Sequence, residues 1–277
     1  GSLAADVEIA PLYGQLDFAA QDRAIRPAAA GRRKVVLATA IAETSLTIEG
    51  VRIVVDSGLR RAPAYEPATG LTVLETRRIS RAAADQRRGR AGRTEPGVCY
   101  RLWGGGQTAA MPAFDDPEIT ETDLSGFVLD LASWGITDPK GVRLLDPPPA
   151  PAWAEAVALL KSLEALDAAG RITAEGRALA RLPLHPRLAH MVHRAADEAA
   201  GLTAAELAAL LSERGLGGDD TDLGHRLDRL GRERGGRADE ARKLAARRAD
   251  LVGNRGRGGD AGRHLARAYP DRIAQRA

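Results

Sequence analysis

The stretch Asp85-Gln86-Arg87-Arg88-Gly89-Arg90-Ala91-Gly92-Arg93 concentrates more cationic and amide side chains than any packing role requires. Read as a helix, it places Gln86, Arg90 and Arg93 at i, i+4 and i+7 on one face. Gly89 and Gly92 leave the surface beside them low, so a backbone or a phosphate can approach. A glycine in a helix interior costs about 1 kcal/mol relative to alanine, so two in one turn ask for a reason. Guanidinium and amide forks beside a bare backbone suit a multiply charged anion far better than a core. A solvated arginine-rich face is the plain alternative, and the neighbouring stretches weigh against it.

The elements that would position these groups are legible on either side. Val7–Leu12 reads as a strand running into the turn Tyr13-Gly14-Gln15-Leu16, after which Asp17 caps a helix to about Ile25, stopped by Pro27 and Gly31. Lys34–Thr39 and Arg52–Asp56 are near-continuous apolar runs separated by a helical or irregular segment, Ile41 to Thr47. Such runs predict buried strands of a parallel sheet covered on both faces. Ligands gather at the carboxyl ends of such strands, where Thr39 and Asp56 fall. Ala64-Tyr65-Glu66 and Leu71–Glu75 flank the turn Pro67-Ala68-Thr69-Gly70 and predict a β-hairpin carrying Arg60, Arg61, Arg77, Arg78 and Arg81. Solvated arginines on an ordinary surface hairpin are the alternative there. Gly97 to Trp103 predicts a further strand.

With 277 residues the chain is large for one domain and comfortable for two or three. It is 44% hydrophobic, 28% charged and only 4% aromatic, so its cores must be built from Ala, Leu and Val. The net charge of +3 is uneven: residues 1–106 carry 16 Lys/Arg against 11 Asp/Glu. A basic first part points to a polyanionic partner such as nucleic acid or nucleotide. Cys99 is the single cysteine, which excludes a disulfide framework, and its apolar neighbours predict a structural thiol. No apolar run reaches the ~18 residues of a membrane span, and a cytoplasmic location is expected. The five histidines show no ligand spacing, so no metal site is expected within the chain.

Beyond residue 106 the composition changes. Thr120-x-x-Asp123 predicts a capping box before a helix through Leu131 that stops near Gly135. Pro147–Pro149 with Pro151 is a stiff spacer, and Trp153, Val157, Leu160, Leu163 and Leu166 recur at helical spacing. Gly170–Thr173 and Glu175-Gly176-Arg177 suggest a small turn or wing. Leu188, Met191, Val192 and Ala195 form one helical stripe, and Thr203-x-x-Glu206 predicts another capping box. Gly253–Gly259 is compatible with an RNA-binding RGG-like segment, but its shortness and lack of aromatics favour a solvated loop.

On these residues the chain resembles the DEAH-box branch of superfamily 2 RNA helicases, most closely the bacterial HrpB-type ATP-dependent enzymes. Gln86–Arg93 matches that family's motif VI. Ala38–Ile48 followed by Val54-Val55-Asp56-Ser57-Gly58 matches motif V, and Leu12–Leu16 is similar to the segment after motif IV. Leu145–Pro149, Leu182–Leu188 and Tyr269–Ala274 resemble further HrpB-type landmarks, so the likeness covers nearly the whole chain. It implies an α/β RecA-like domain with a partial parallel sheet over 1–106, a winged-helix domain over 107–183 and an α-helical ratchet-like bundle over 184–277.

The resemblance also assigns roles. Gln86, Arg90 and Arg93 would contact the γ-phosphate region of ATP, the two arginines as catalytic fingers, with Asp56 and Ile25 also on the nucleotide side. Many eukaryotic relatives place an adenine-stacking phenylalanine where this chain has Ile25, which implies a loose base preference. Tyr13, Gly14, Thr39, Thr44, Ser45, Arg60, Arg61, Arg77 and Arg78 would face single-stranded or duplex nucleic acid, RNA favoured, with the hairpin where a duplex is opened. No Gly-x-x-x-x-Gly-Lys-Ser/Thr loop and no Asp-Glu-x-His is present, so ATP and Mg²⁺ would be held mainly by a first RecA-like domain absent from this sequence. The chain therefore reads as the C-terminal part of an ATP-dependent helicase, inactive by itself. The alternative is a non-catalytic nucleic-acid-binding or regulatory module that lacks an ATPase half.

Overall fold

The computed structural model describes residues 4–14, 16–44, 48–66, 71–93 and 95–273, and the chain divides into two units, Gly1–Thr122 and Asp123–Ala277. The predicted hairpin turn Pro67–Gly70 and the stretch Ser45–Thr47 lie outside the described residues.

Local signals fix the first unit's elements. β1 (Val7–Leu12) leads to α1 (Phe18–Ile25), where the Asp17 carboxylate accepts the amide of Ala20 at 2.7 Å. β2 (Arg33–Ala38) pairs parallel with β1, Leu12 opposite Ala38. After the short α2 (Ile41–Thr44) comes β3 (Ile53–Asp56), which pairs parallel with β6 (Val98–Arg101). Between them, β4 (Leu59–Glu66) and β5 (Leu71–Arg78) form the expected antiparallel hairpin, and α3 (Arg81–Arg88) is capped by the Ser80 hydroxyl.

The parallel pairing is as predicted, but the expectation of strands buried on both faces is corrected. Ala10 and Leu12 pack with Ala24, Val36, Ile41 and Ala42 on one face of β1–β2. The alternate residues Ile9, Val35 and Leu37 stay exposed, as do Ile53, Val55, Val98 and Tyr100 on β3–β6. Each two-stranded sheet thus has one covered and one open apolar face. Composition marks a strand as able to be buried, but only the presence of a covering layer buries it. Gly58 turns the chain from β3 into β4 at φ 72°, and a Cβ there would stand 2.8 Å from the Trp103 ring. Short α4 (Gly105–Ala110) follows, with Thr108 accepting the Trp103 indole N–H at 2.9 Å.

The second unit is helical: α5 (Ser125–Ser133), α6 (Ala150–Ser162), α7 (Ala174–Ala180), α8 (Pro186–Ala196), α9 (Gly201–Ser212), α10 (Leu223–Arg232), α11 (Gly236–Leu251) and α12 (Ala261–Ala268). Its core is Leu131, Leu160, Leu163, Leu179, Met191, Leu207 and the buried alanines of α8, α9 and α11. The wing is a single antiparallel bridge, Leu166 to Ile172, around Gly170. Glu175–Arg177 lie in α7 instead, behind the Thr173 cap.

Both predicted capping boxes are corrected. Asp123, not Thr120, receives the Ser125 amide at the start of α5, at 2.7 Å. Thr203 lies inside α9, and its hydroxyl accepts the Gly258 amide at 3.1 Å, while Glu206 pairs with Arg257 at 2.6 Å. The Gly253–Gly259 segment is the exposed loop expected, with the Arg255 and Arg257 side chains in solvent, but it is tied down along its length. Asn254 accepts the Gly256 amide and donates to the Ala196 carbonyl, Gly256 accepts the Leu202 amide, and a Cβ on Gly256 would fall 1.7 Å from the Ala199 carbonyl. The glycines let this strap lie flat against the ends of α8 and α9.

Candidate functional site

Helix α3 ends at Arg88, one residue before Gly89, so Gln86, Arg90 and Arg93 do not share a continuous helical face. Arg90 and Ala91 instead donate to the carbonyls of Arg87 and Arg88, both at 3.1 Å, in a tight turn. Two glycines within four residues remove the preference for continuing the helix, and the chain tightens through i→i−3 bonds. Gln86 and Arg93 are exposed and Arg90 is half-buried. The space beside Gly92 is open, with nothing within 4 Å of a notional Cβ.

The turn still gathers cations. Burial and then the nearby Arg93 charge hold the Arg90 guanidinium below its ordinary pKa, against the pull of Glu43. Arg90 donates through Nη2 to the Glu43 backbone carbonyl.

Beneath them lies a cluster that sequence reasoning missed. Arg87 donates through Nε to Glu43 Oε1 at 2.7 Å and through Nη1 to Asp56 Oδ1 at 2.8 Å and the Leu59 carbonyl at 3.1 Å. Burial opposes its charge, but the Asp56 and Glu43 carboxylates outweigh that, and its pKa is raised. Asp56 Oδ1 also accepts the Gly58 amide at 2.9 Å, while Oδ2 is buried without a hydrogen-bond partner. Asp56, expected on the nucleotide side, is 2% exposed and faces Arg87. The only sequence signal for Glu43 was its place in motif V; for Arg87, its place between Gln86 and Arg90.

At the carboxyl ends of β1 and β2 the structure does bring residues together. Tyr13 and Gly14 follow Leu12, Thr39 follows Ala38, and the Thr39 amide donates to the Leu12 carbonyl at 3.1 Å. Thr39, Tyr13 and Gly14 are exposed. Thr44 ends α2; its side chain, like all of Ser45, lies outside what is described. Ile25 is the half-buried last residue of α1.

The four hairpin arginines divide by strand parity. Arg60 and Arg77 are cross-strand neighbours, half-buried and paired to acids: Arg60 with Asp115 at 3.1 Å, Arg77 with Glu75 at 3.1 Å and with Glu121. Arg61 and Arg78 are exposed, with long 3.4 Å hydrogen bonds to the Leu74 carbonyl and Gln107. Among the described residues, no group of three or more His, Cys, Asp or Glu is arranged to hold a metal, and no helix is long and apolar enough to cross a membrane.

Residues 2–95 match the helicase conserved C-terminal domain, and 156–184 match the winged-helix helicase-associated domain, HA2. Over 222 residues the chain is 46% identical to the ATP-dependent RNA helicase HrpB of Escherichia coli K12, covering 80% of this chain and 27% of that protein. Over 189 residues it is 42% identical to the Schizosaccharomyces pombe pre-mRNA-splicing factor ATP-dependent RNA helicase prp22, covering 68% of this chain and 16% of that protein. A crystal structure of the Escherichia coli DEAH/RHA helicase HrpB superposes with a TM-score of 0.88 at 41% identity, over 99% of this chain and 34% of the other. The chain thus carries a RecA-like helicase C-terminal domain with a small parallel sheet, a winged-helix segment and further helices, and spans about a third or less of the length of these relatives.

Proposed function

We propose that this chain, a C-terminal helicase region homologous to HrpB and prp22, serves an ATP-dependent helicase acting on RNA. The observation that carries the reading is the turn after α3, where half-buried Arg90 donates to the Glu43 backbone carbonyl and Arg93 stands exposed three residues on. An ATP γ-phosphate would bind there, contacted by Arg90, Arg93 and Gln86. Fixed guanidinium groups at such a place offset charge that develops in phosphoryl transfer, an effect of about 10³–10⁵ in rate in comparable enzymes. ATP and Mg²⁺ would be held mainly by a first RecA-like domain that partners this one. Ile25 would border the base and, being aliphatic, would select little among bases.

On the same reading RNA lies over the carboxyl ends of β1 and β2, against Tyr13, Gly14, Thr39, Thr44 and Ser45. Exposed Arg61 and Arg78 add phosphate contacts, and Arg60 and Arg77 hold the hairpin in place through their acids. Asp56 acts on the nucleotide side through Arg87. The functional divisions are 1–106, 107–183 and 184–277: RecA-like, winged-helix and ratchet-like parts. In the full-length protein, Arg90→Ala and Arg93→Ala should each abolish RNA-stimulated ATP hydrolysis while ATP binding persists. Hydrolysis within about threefold of wild type would remove both residues from the reaction, since a group acting only in the transition state lowers kcat.

A further inference from the structure

Among the described residues of the first unit, Arg87 is a largely buried side chain held by several partners, of which Asp56 has also been assigned to a ligand. Its guanidinium spends three nitrogens on three elements: Nε and Nη2 on Glu43 of α2, Nη1 on Asp56 at the end of β3, and Nη1 again on the carbonyl of Leu59, the first residue of β4. The side chains of Arg87, Glu43 and Asp56 are 16%, 13% and 0% exposed. Glu43 is also the residue whose backbone carbonyl holds Arg90.

The chemistry of this junction is asymmetric. Two carboxylates share one guanidinium, and the second oxygen of Asp56 is already without a hydrogen-bond partner. Removing either acid's bond to Arg87 leaves a largely buried carboxylate without its cation, so a shift of α2 relative to β3 strains the Arg87 contacts. A planar fork can bridge two carboxylates and a carbonyl in fixed directions; a lysine ammonium on a flexible stem cannot. Burial stiffens the junction further, because water is not there to replace a lost partner.

We infer that Arg87 is a positioning residue that mechanically links the nucleotide-facing turn to the strand-facing segment, tying α2 and the base of the β4–β5 hairpin to the helix that carries Arg90. The inference rests on the proposed helicase reading and adds to it a physical route between its two ligands. A displacement of α2 by a bound strand is passed through Glu43 to Arg90 directly by the backbone carbonyl and indirectly through Arg87. A displacement of the turn by phosphate is passed to the hairpin through the Leu59 carbonyl.

The test uses the full-length protein and measures the affinity for a single-stranded RNA oligonucleotide with and without a non-hydrolysable ATP analogue. The ratio of the two dissociation constants is the coupling between the sites, which is about 5–150-fold where such linkage exists. Wild type is expected to show a ratio of about tenfold, and Arg87→Lys, which keeps the charge but not the fork, to bring it below about twofold. Glu43→Gln keeps the Arg87–Asp56 pair and serves if the lysine variant does not fold; its ratio should also fall. A ratio within about twofold of wild type in the folded variants overturns the positioning role. A wild-type protein that binds neither RNA nor the analogue instead overturns the helicase reading on which it stands.

Discussion

Asp123, Ser125 and His185 bring together the three side-chain types of a nucleophilic triad, and their geometry shows that they do something else. His185 Nδ1 accepts the Arg187 amide at 3.3 Å, which leaves Nε2 to face the other two side chains. That nitrogen faces both Ser125 Oγ at 3.0 Å and Asp123 Oδ2 at 3.3 Å, and the serine hydroxyl donates to Asp123. Ser125 is fully buried, and its hydroxyl is spent on Asp123, a carboxylate held too acidic to take its proton. The cluster joins the starts of α5 and α8. Burial alone would raise the Asp123 pKa, but hydrogen bonds from His185 and Ser125 bring it down to about 2. A carboxyl with a depressed folded pKa stabilises above its unfolded value and loses that contribution as pH falls through the folded one. Thermal unfolding followed from pH 5 to pH 2 should therefore show about 2 kcal/mol disappearing between about pH 4 and pH 2. Asp123→Asn should be less stable at neutral pH and flatter across that window; an unchanged profile would remove Asp123 from the staple.

At the scale of elements, the strap 253–259 and the hairpin make different demands. Gly256 approaches the Ala199 carbonyl so closely that any side chain must push the strap off α9. Gly256→Ala should cost at least about 2 kcal/mol by denaturant unfolding, the range expected when a close backbone approach and its hydrogen bonds are lost. Arg257→Ala leaves Glu206, whose side chain is 5% exposed, without its cation and should be destabilising by a similar amount. The hairpin is braced at its base by Arg60–Asp115 and Arg77–Glu121, and farther out the Tyr65 amide donates to the Glu121 carbonyl at 3.1 Å. On the helicase reading proposed above, shortening residues 66–70 in the full-length protein should lower duplex unwinding more than ATP hydrolysis. Equal losses in both would assign the hairpin to support rather than to strand separation.

At the scale of the whole molecule, the two units differ in how completely they cover their own apolar surface. The second unit buries Leu160, Leu163, Leu179, Met191, Leu207 and Leu210 almost completely, and Arg187 fastens the chain after α12 by donating to Asp271 and lying 5.3 Å over the Tyr269 ring. The first unit leaves Leu37, Ile53 and Val55 about three-fifths exposed on its sheet faces. Residues 123–277 expressed alone should unfold in one cooperative thermal transition. Residues 1–122 alone should bind an apolar dye such as ANS and aggregate at lower temperature. If the 1–122 segment stays monomeric and dye-free, the open faces are not the liability their exposure implies.

Much of this was legible in residue order. The Asp17 cap, the β strands of the first unit and the leucine stripes of α6 and α8 arise from interactions within a few residues, and local pattern determines such features. Motifs V and VI likewise marked the residues of the proposed anion-binding turn, because residue type sets what a side chain can bind. What the order of residues left undecided was pairing across distance: Arg87 with Glu43, 44 positions away, and with Asp56, 31 away, and Arg257 with Glu206, 51 away. It also left undecided where α3 stops and which sheet faces are covered. Those outcomes depend on which neighbour reaches a group first in space, and a buried charge takes whichever partner the packed elements present to it.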